Sequence, residues 1–253
     1  MVSGVETGQV EIAEAGPTEW GDNPNGVGPW TEEHDTPVPA DPRYDPELLA
    51  GGDRRNVVDA YRYWTREAIV ADIDSRRHPL HVAIENFGHD ANIGTVVRTA
   101  NAFAAAAVHI VGRRRWNRRG AMVTDRYQHV LHHSDVDGLV EFARERGLTI
   151  VAVDNTPGSV PLETASLPRD CVLLFGQEGP GVTDQAKEVA AMTVSIAQFG
   201  STRSINAASP RESPCTRGCV STPTSTAPGS GTPRRIGKIN SYAGLVVGAR
   251  GRR

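Results

Sequence analysis

Apolar positions along the chain fall into two rhythms. From about Arg54 to Arg77, the residues Val57, Tyr61, Trp64, Ala68, Ile69 and Ile73 recur at helical spacing, and Pro79 then marks the entry into a strand. Beyond it, short β-type runs alternate with amphipathic stretches. His81 to Ile84, Ala107 to Val111, Thr149 to Val153, Cys171 to Phe175 and Thr193 to Ile196 predict strands, and segments 92–105, 135–147 and 183–191 predict the helices between them. A strand that is apolar at successive positions has both faces buried. Alternation with helices supplies the cover, so the expected class is α/β: a parallel sheet with helices on both faces.

The two ends of the sequence lack such periodicity. Residues 1–53 are rich in Pro, Gly and acids, with 12 acidic residues against one base, Arg43. Burial there offers little to offset ordering entropy, which predicts an acidic disordered arm. After Ser209 the texture changes to Pro, Ser, Thr, Gly and Arg, with five prolines from Pro210 to Pro233, which predicts an irregular tail. The expected division is therefore 1–53, 54–209 and 210–253.

Charge refines this division. The net charge of −3 conceals a chain whose last 200 residues hold 26 bases against 18 acids, with eight of those bases after Ser209. Residues 54–208 are nearly balanced, so overall charge says little about a nucleic-acid partner. No apolar run approaches the roughly 18 residues of a membrane span, and the first residues lack a secretory pattern, so the expectation is a cytoplasmic protein without membrane association. Cys171 lies inside an apolar strand and reads as a buried hydrophobe. Cys215 and Cys219 lack a second metal-ligand pair, and neither His132-His133 nor His81 and His89 stand in metal-like context, so no metal is expected.

Three stretches carry candidate chemistry. The first, Asn86 to Ala100, follows a strand and opens a helix, with Asn92 placed to cap it and Thr95 and Arg98 on one helical face. The second, Leu173 to Asp184, runs from a strand into Gly176, Gly179 and Gly181, which let backbone approach a ligand at the carboxyl end of a parallel strand. The third, Val194 to Ala208, couples a strand to a polar loop in which Ser204 and Asn206 offer hydroxyl and amide groups and Ile196 and Ile205 offer apolar flanks. Taken singly, each also fits an ordinary capped helix or glycine turn. Beside them, Arg113, Arg114, Arg115, Arg118 and Arg119 surround Trp116, a composition suited to phosphate contact and base stacking, as well as to a solvated basic loop.

Together, in this order and spacing, the three stretches resemble the signature motifs of the SpoU (TrmH-like) family within the SPOUT superfamily, over about residues 79–209. Asn92, Gly94 and Arg98 match the first motif, Gly176, Glu178 and Gly179 the second, and Ser204 and Asn206 the third. The resemblance implies a parallel α/β fold with a C-terminal trefoil knot, an exception to the unknotted rule. It also implies an S-adenosyl-L-methionine-dependent RNA methyltransferase acting on a ribose 2'-hydroxyl of tRNA or rRNA, working as a homodimer. Asn92, Arg98, Glu178, Ser204 and Asn206 would form its catalytic set, and Gly176, Gly179, Ile196 and Ile205 would hold the cofactor. Two alternatives stay open: an RNA-binding protein of the same fold without transfer activity, and a Rossmann-type nucleotide enzyme. The second is disfavoured because no GxGxxG turn follows the first strand.

The tail departs from the family. After Ser209 the family continues with a small-residue apolar helix, whereas here Pro210 to Cys219 cannot form one. Back-translation of those ten residues, with the codon chosen freely at each degenerate position, allows CCG CGG GAA TCG CCA TGC ACG CGT GGA TGC. Preceded by one G and read in the shifted frame, they give Ala-Ala-Gly-Ile-Ala-Met-His-Ala-Trp-Met, the expected helix. The expectation is therefore that a one-nucleotide loss produced the tail, in which case its basic charge would have no bearing on RNA.

Overall fold

The structure is a computed structural model and describes residues 26–88, 92–177 and 179–199. Its elements run α1 (Trp30–Glu33), α2 (Pro46–Gly51), α3 (Arg66–Asp74), β1 (His78–Asn86), α4 (Ile93–Ala102), β2 (Ala105–Gly112), β3 (Val130–His133), α5 (Val136–Glu145), β4 (Thr149–Val153), β5 (Val160–Pro161), β6 (Cys171–Phe175), α6 (Asp184–Val189) and β7 (Met192–Ser195). The strands form one seven-stranded sheet in the order β3-β2-β1-β6-β4-β7-β5, with every pairing parallel. The predicted parallel α/β class is correct.

The two faces of the sheet are covered separately. Leu80, Val82 and Ile84 of β1 pack with Ile93, Val96, Val97 and Ala100 of α4 on one side, while Ala83, Val172 and Leu174 meet Val136, Leu139 and Ala143 of α5 and Ala186 of α6 on the other. This is strand alternation made visible. Each large aliphatic side chain so buried contributes about 2 kcal/mol relative to exposure. Cys171 lies in the first of these cores, where burial lifts its thiol to about 11, as its apolar strand predicts.

Order also extends into the acidic stretch. Residues 26–53 are folded, which corrects the expectation of a disordered arm reaching to residue 53. Asp45 caps α2 by accepting from the Glu47 and Leu48 amides, with Pro46 at the first helical position. Val27 bridges to Asp53, whose fully buried carboxylate receives the Arg55 guanidinium at 2.7 Å and the Tyr63 amide at 2.9 Å. Trp30 meets Tyr44 and Tyr63 edge to face, and the Tyr63 hydroxyl donates to the Gly28 carbonyl. Rings and buried ionic hydrogen bonds, rather than a periodic apolar stripe, stabilise this segment.

The long helix expected from Arg54 to Arg77 is broken. A short 3-10 turn at Asp59–Tyr61 is followed by Tyr63 at φ 61°, and only then does Thr65 cap α3 by accepting from the Ala68 amide. β3 and β5 were not predicted. β3 carries His132 and His133 where an apolar run would be read, and β5 has two residues. Among the described residues, no helix is long and apolar enough to cross a membrane.

Candidate functional site at the carboxyl ends of the strands

The sheet order makes a switch point. From β1 the chain goes outward to β2 and β3, then returns so that β6 inserts between β1 and β4. Crevices at the carboxyl ends of such strands are where open parallel sheets bind ligands. Two of the three motif stretches leave the sheet here. β1 and β6 are paired through Ile84 and Phe175, and the chain continues from β1 into Phe87 and Gly88 and from β6 into Gly176 and Gln177. A Cβ at Gly88 would lie 2.8 Å from the Gln177 side-chain oxygen, so the two exits touch.

The exit from β6 is a tight turn. Gln177 and Gly181 exchange amide hydrogen bonds in both directions, at 3.0 and 3.1 Å. Gly176 faces that closure: a Cβ there would sit 2.0 to 2.1 Å from backbone atoms of Gly181 and Val182, which no side chain permits. Gly179 and Gly181 hold φ of 94° and 76°, the left-handed region that favours glycine.

Two carboxylates brace this turn from the sheet. Glu85, near the end of β1, accepts hydrogen bonds from the Thr183 amide at 2.9 Å and from the Thr183 hydroxyl. It is 1% exposed, and burial raises its pKa, with the Thr183 hydrogen bonds opposing the shift. Asp154, just past β4, accepts from the Val182 amide at 3.2 Å and pairs with Lys187 at 3.0 Å. The sequence reading assigned Glu85, Asp154 and Thr183 no role. A glutamate inside the apolar run of β1 was the available signal.

The exit from β1 leads to α4. Asn92 is the N-cap residue of α4, but its side chain makes no capping hydrogen bond and its backbone is αR, which corrects the capping role read from sequence. Arg98 is exposed on α4, and the neighbouring Thr95 is half-buried. Gly94 is fixed by packing, since a Cβ would lie 2.6 Å from the Ala121 nitrogen. The first motif helix therefore rests directly on the end of the arginine-bearing loop.

That loop follows β2. Arg113, Arg114, Arg115, Arg118 and Arg119 are all exposed, and Trp116 is half-buried. Arg114, Arg115, Trp116 and Arg118 line a recess of about 390 Å³, with the Arg118 guanidinium 5.6 Å from the Trp116 ring centre. Asn86 anchors the loop by donating its side-chain amide to the carbonyls of Arg113 and Arg115, while Arg113 reaches the Gly88 carbonyl.

The third motif is described only in part. Ile196 follows β7 and packs against the α4-side core. Glu178, Ser204, Ile205 and Asn206 lie outside the described residues, as do Cys215, Cys219, His89, the tail from Pro210 and the segment that would form the knot.

The chain is similar to curated proteins named for a tRNA modification. A tRNA (guanosine(18)-2'-O)-methyltransferase of Escherichia coli K12 is 27% identical over 146 residues, covering 56% of this chain and 64% of that protein. The enzyme of the same name from Thermus thermophilus is 25% identical over 150 residues, covering 56% of this chain and 75% of the relative. Thus the chain spans just under two thirds of the length of the E. coli relative. Among solved structures, the A. aeolicus TrmH/SpoU tRNA modifying enzyme matches 56% of this chain and 74% of its own, at 23% identity and a TM-score of 0.49. The family model described as the SpoU rRNA Methylase family matches residues 79–210, more than half of the sequence, and the chain belongs to that family.

Proposed function

We propose that the chain transfers a methyl group from S-adenosyl-L-methionine to a ribose 2'-hydroxyl of RNA. The observation that carries this reading is the meeting of the β1 and β6 exits, one leading to the asparagine–arginine helix and the other forming the glycine turn, beside a loop of exposed arginines. The names of the relatives make tRNA the first substrate to test, with rRNA as the second.

The residues present fit the cofactor. A turn whose Gly176 has no room for a side chain, and whose Gly179 has nothing within 4 Å of a Cβ, presents bare backbone donors and acceptors, and Ile196 adds an apolar flank. Gly176, Gly179, Ile196 and Ile205 would hold S-adenosyl-L-methionine, which supplies an electrophilic methyl group on a sulfonium. The protein's task is to place a hydroxyl in line with that methyl, so positioning provides much of the acceleration.

Arg98 is assigned the central role. A guanidinium stays charged and is a poor base, so Arg98 clamps the neighbouring phosphate and stabilises the developing alkoxide. Asn92, Glu178, Ser204 and Asn206 complete the set around the hydroxyl and the cofactor. The exposed arginines hold the RNA backbone, and Trp116 offers a stacking surface. A C-terminal trefoil knot, left incomplete if the altered tail replaces its closing helix, a homodimer and a cytoplasmic location complete the reading.

Labelled methyl transfer from S-adenosyl-L-methionine to total RNA, followed by digestion to nucleosides, tests this function. A 2'-O-methylated nucleoside is the expected product, and RNA binding without cofactor binding would favour the non-catalytic alternative. For the tail, we propose the one-nucleotide loss after Ser209; coding DNA with unrelated codons from Pro210 to Cys219 would dispose of it.

A further inference from the structure

The last two residues of β1 serve opposite faces of the sheet. Alternation along the strand places Glu85 with Ala83 on the side of α5 and α6, and Asn86 with Val82 and Ile84 on the side of α4. Each side chain is 1% exposed. At that depth a polar group is retained only with its hydrogen bonds made, and both residues make theirs to loops rather than to the sheet.

Glu85 commits both carboxylate oxygens to Thr183, which closes the glycine turn and caps α6 through its own hydroxyl. Asn86 commits its side-chain amide to the carbonyls of Arg113 and Arg115, at 2.6 and 3.1 Å, and its own carbonyl accepts the Arg113 amide at 2.8 Å. Among the described residues, the two grips share no partner. A change at one leaves the hydrogen bonds of the other intact.

We propose that Glu85 and Asn86 are positioning residues with separate duties: Glu85 sets the glycine turn for cofactor binding, and Asn86 sets the arginine loop for binding the RNA backbone. The identity of the two ligands rests on the proposed function, whereas the division of labour follows from which loop each side chain holds. A general loss of stability would weaken both ligands together. Separate positioning predicts a crossed pattern.

The test uses the full chain and the variants Glu85→Ala and Asn86→Ala. S-adenosyl-L-methionine affinity is read by calorimetry, affinity for an unmodified tRNA transcript by a salt series, and loop order by amide hydrogen exchange. Glu85→Ala weakens the cofactor about tenfold or more and speeds exchange at Gln177, Gly181, Val182 and Thr183. Its tRNA affinity stays within about twofold. Asn86→Ala does the reverse, weakening tRNA and speeding exchange at Arg113 to Trp116, with cofactor affinity held.

Glu85→Gln keeps an acceptor for the Thr183 amide and a donor for its hydroxyl, and so restores most of the cofactor affinity. If an alanine variant does not fold, Thr183→Val and Gly94→Ala perturb the same two loops from their other sides and must show the same crossed pattern. Parallel loss of both affinities, or exchange in neither loop responding, overturns the proposal. An unmodified protein that bound neither ligand would defeat the proposed function, while the exchange pattern alone would still decide the division of labour.

Discussion

The two loops flanking the end of β1 are built on opposite terms. The turn after β6 closes backbone on backbone, with no room for a side chain at Gly176 and two carboxylates bracing it from the sheet. The loop after β2 is held by backbone and amide contacts at its base and carries five exposed arginines. A small rigid ligand calls for backbone groups fixed in place, whereas a long polyanion calls for charge with reach. One sheet edge thus carries two loops of different build, the first suited to the proposed cofactor and the second to the proposed RNA.

The sharpest way to break this contrast is at the stiff loop. Gly176→Ala forces the turn open, so S-adenosyl-L-methionine affinity measured by calorimetry should fall by about two orders of magnitude, and chemical denaturation should show a loss of about 3 kcal/mol. An alanine variant that binds cofactor normally would show that the turn is not closed as described.

Next comes Arg98→Lys, which keeps the charge but not the planar fork. Methyl transfer should drop by about a hundredfold while cofactor affinity holds, because the proposed clamp would act on the phosphate and the developing alkoxide. Full turnover in a single-turnover assay would remove Arg98 from its assigned role.

Replacing Arg114, Arg115, Arg118 and Arg119 together with Ala should weaken RNA binding more than about tenfold at low salt. The slope of affinity against salt, both on logarithmic scales, should also flatten by about one unit for each phosphate no longer neutralised. Cofactor affinity should not move, and if it does, the two surfaces are not separate.

The smallest effect lies away from both loops. His81, His109 and His133 form a hydrogen-bonded row across β1, β2 and β3, at 2.9 and 2.8 Å, with Phe142 of α5 set edge-on against all three rings. Burial lowers all three pKa values, His81 to about 4 from 6.5 and His109 well below 6.5, with the Arg146 charge reinforcing the shift. The unfolded chain therefore binds these protons first, and stability present above pH 6.5 is lost as pH falls toward 4. Glu85, with its pKa raised, contributes in the opposite sense, losing stability as pH rises through its folded value. Thermal midpoints should decline between pH 6.5 and 5, and a flat profile there would mean that the histidine row is hydrated.

How much of this was legible in the sequence depends on what holds each part. The sheet was, because Val172, Leu173 and Leu174 are buried on both faces and leave a run that only a covered strand explains. The folded part of the acidic stretch was not. Trp30, Tyr44, Asp53 and Tyr63 are scattered in sequence and meet through ring contacts and the Asp53–Tyr63 hydrogen bond, so no local period announces them. The tight turn at Gly176 and the exposed basic loop were legible as local structure, since glycine spacing and clustered charge are local signals. Glu85 and Asn86 escaped as supports because their partners lie 98 and 27 residues away, at Thr183 and Arg113. Asn92 was assigned a capping bond by residue type alone, and its backbone does not form one.

The most direct test of the account is calorimetric titration of the full chain with S-adenosyl-L-methionine, followed by labelled methyl transfer to a tRNA transcript in the same buffer. Saturable binding and a 2'-O-methylated nucleoside in the RNA digest are predicted. A cooperatively folded protein that takes up no cofactor and leaves the ribose unmodified would contradict the claim that the carboxyl edge of this sheet is a methyl-transfer site.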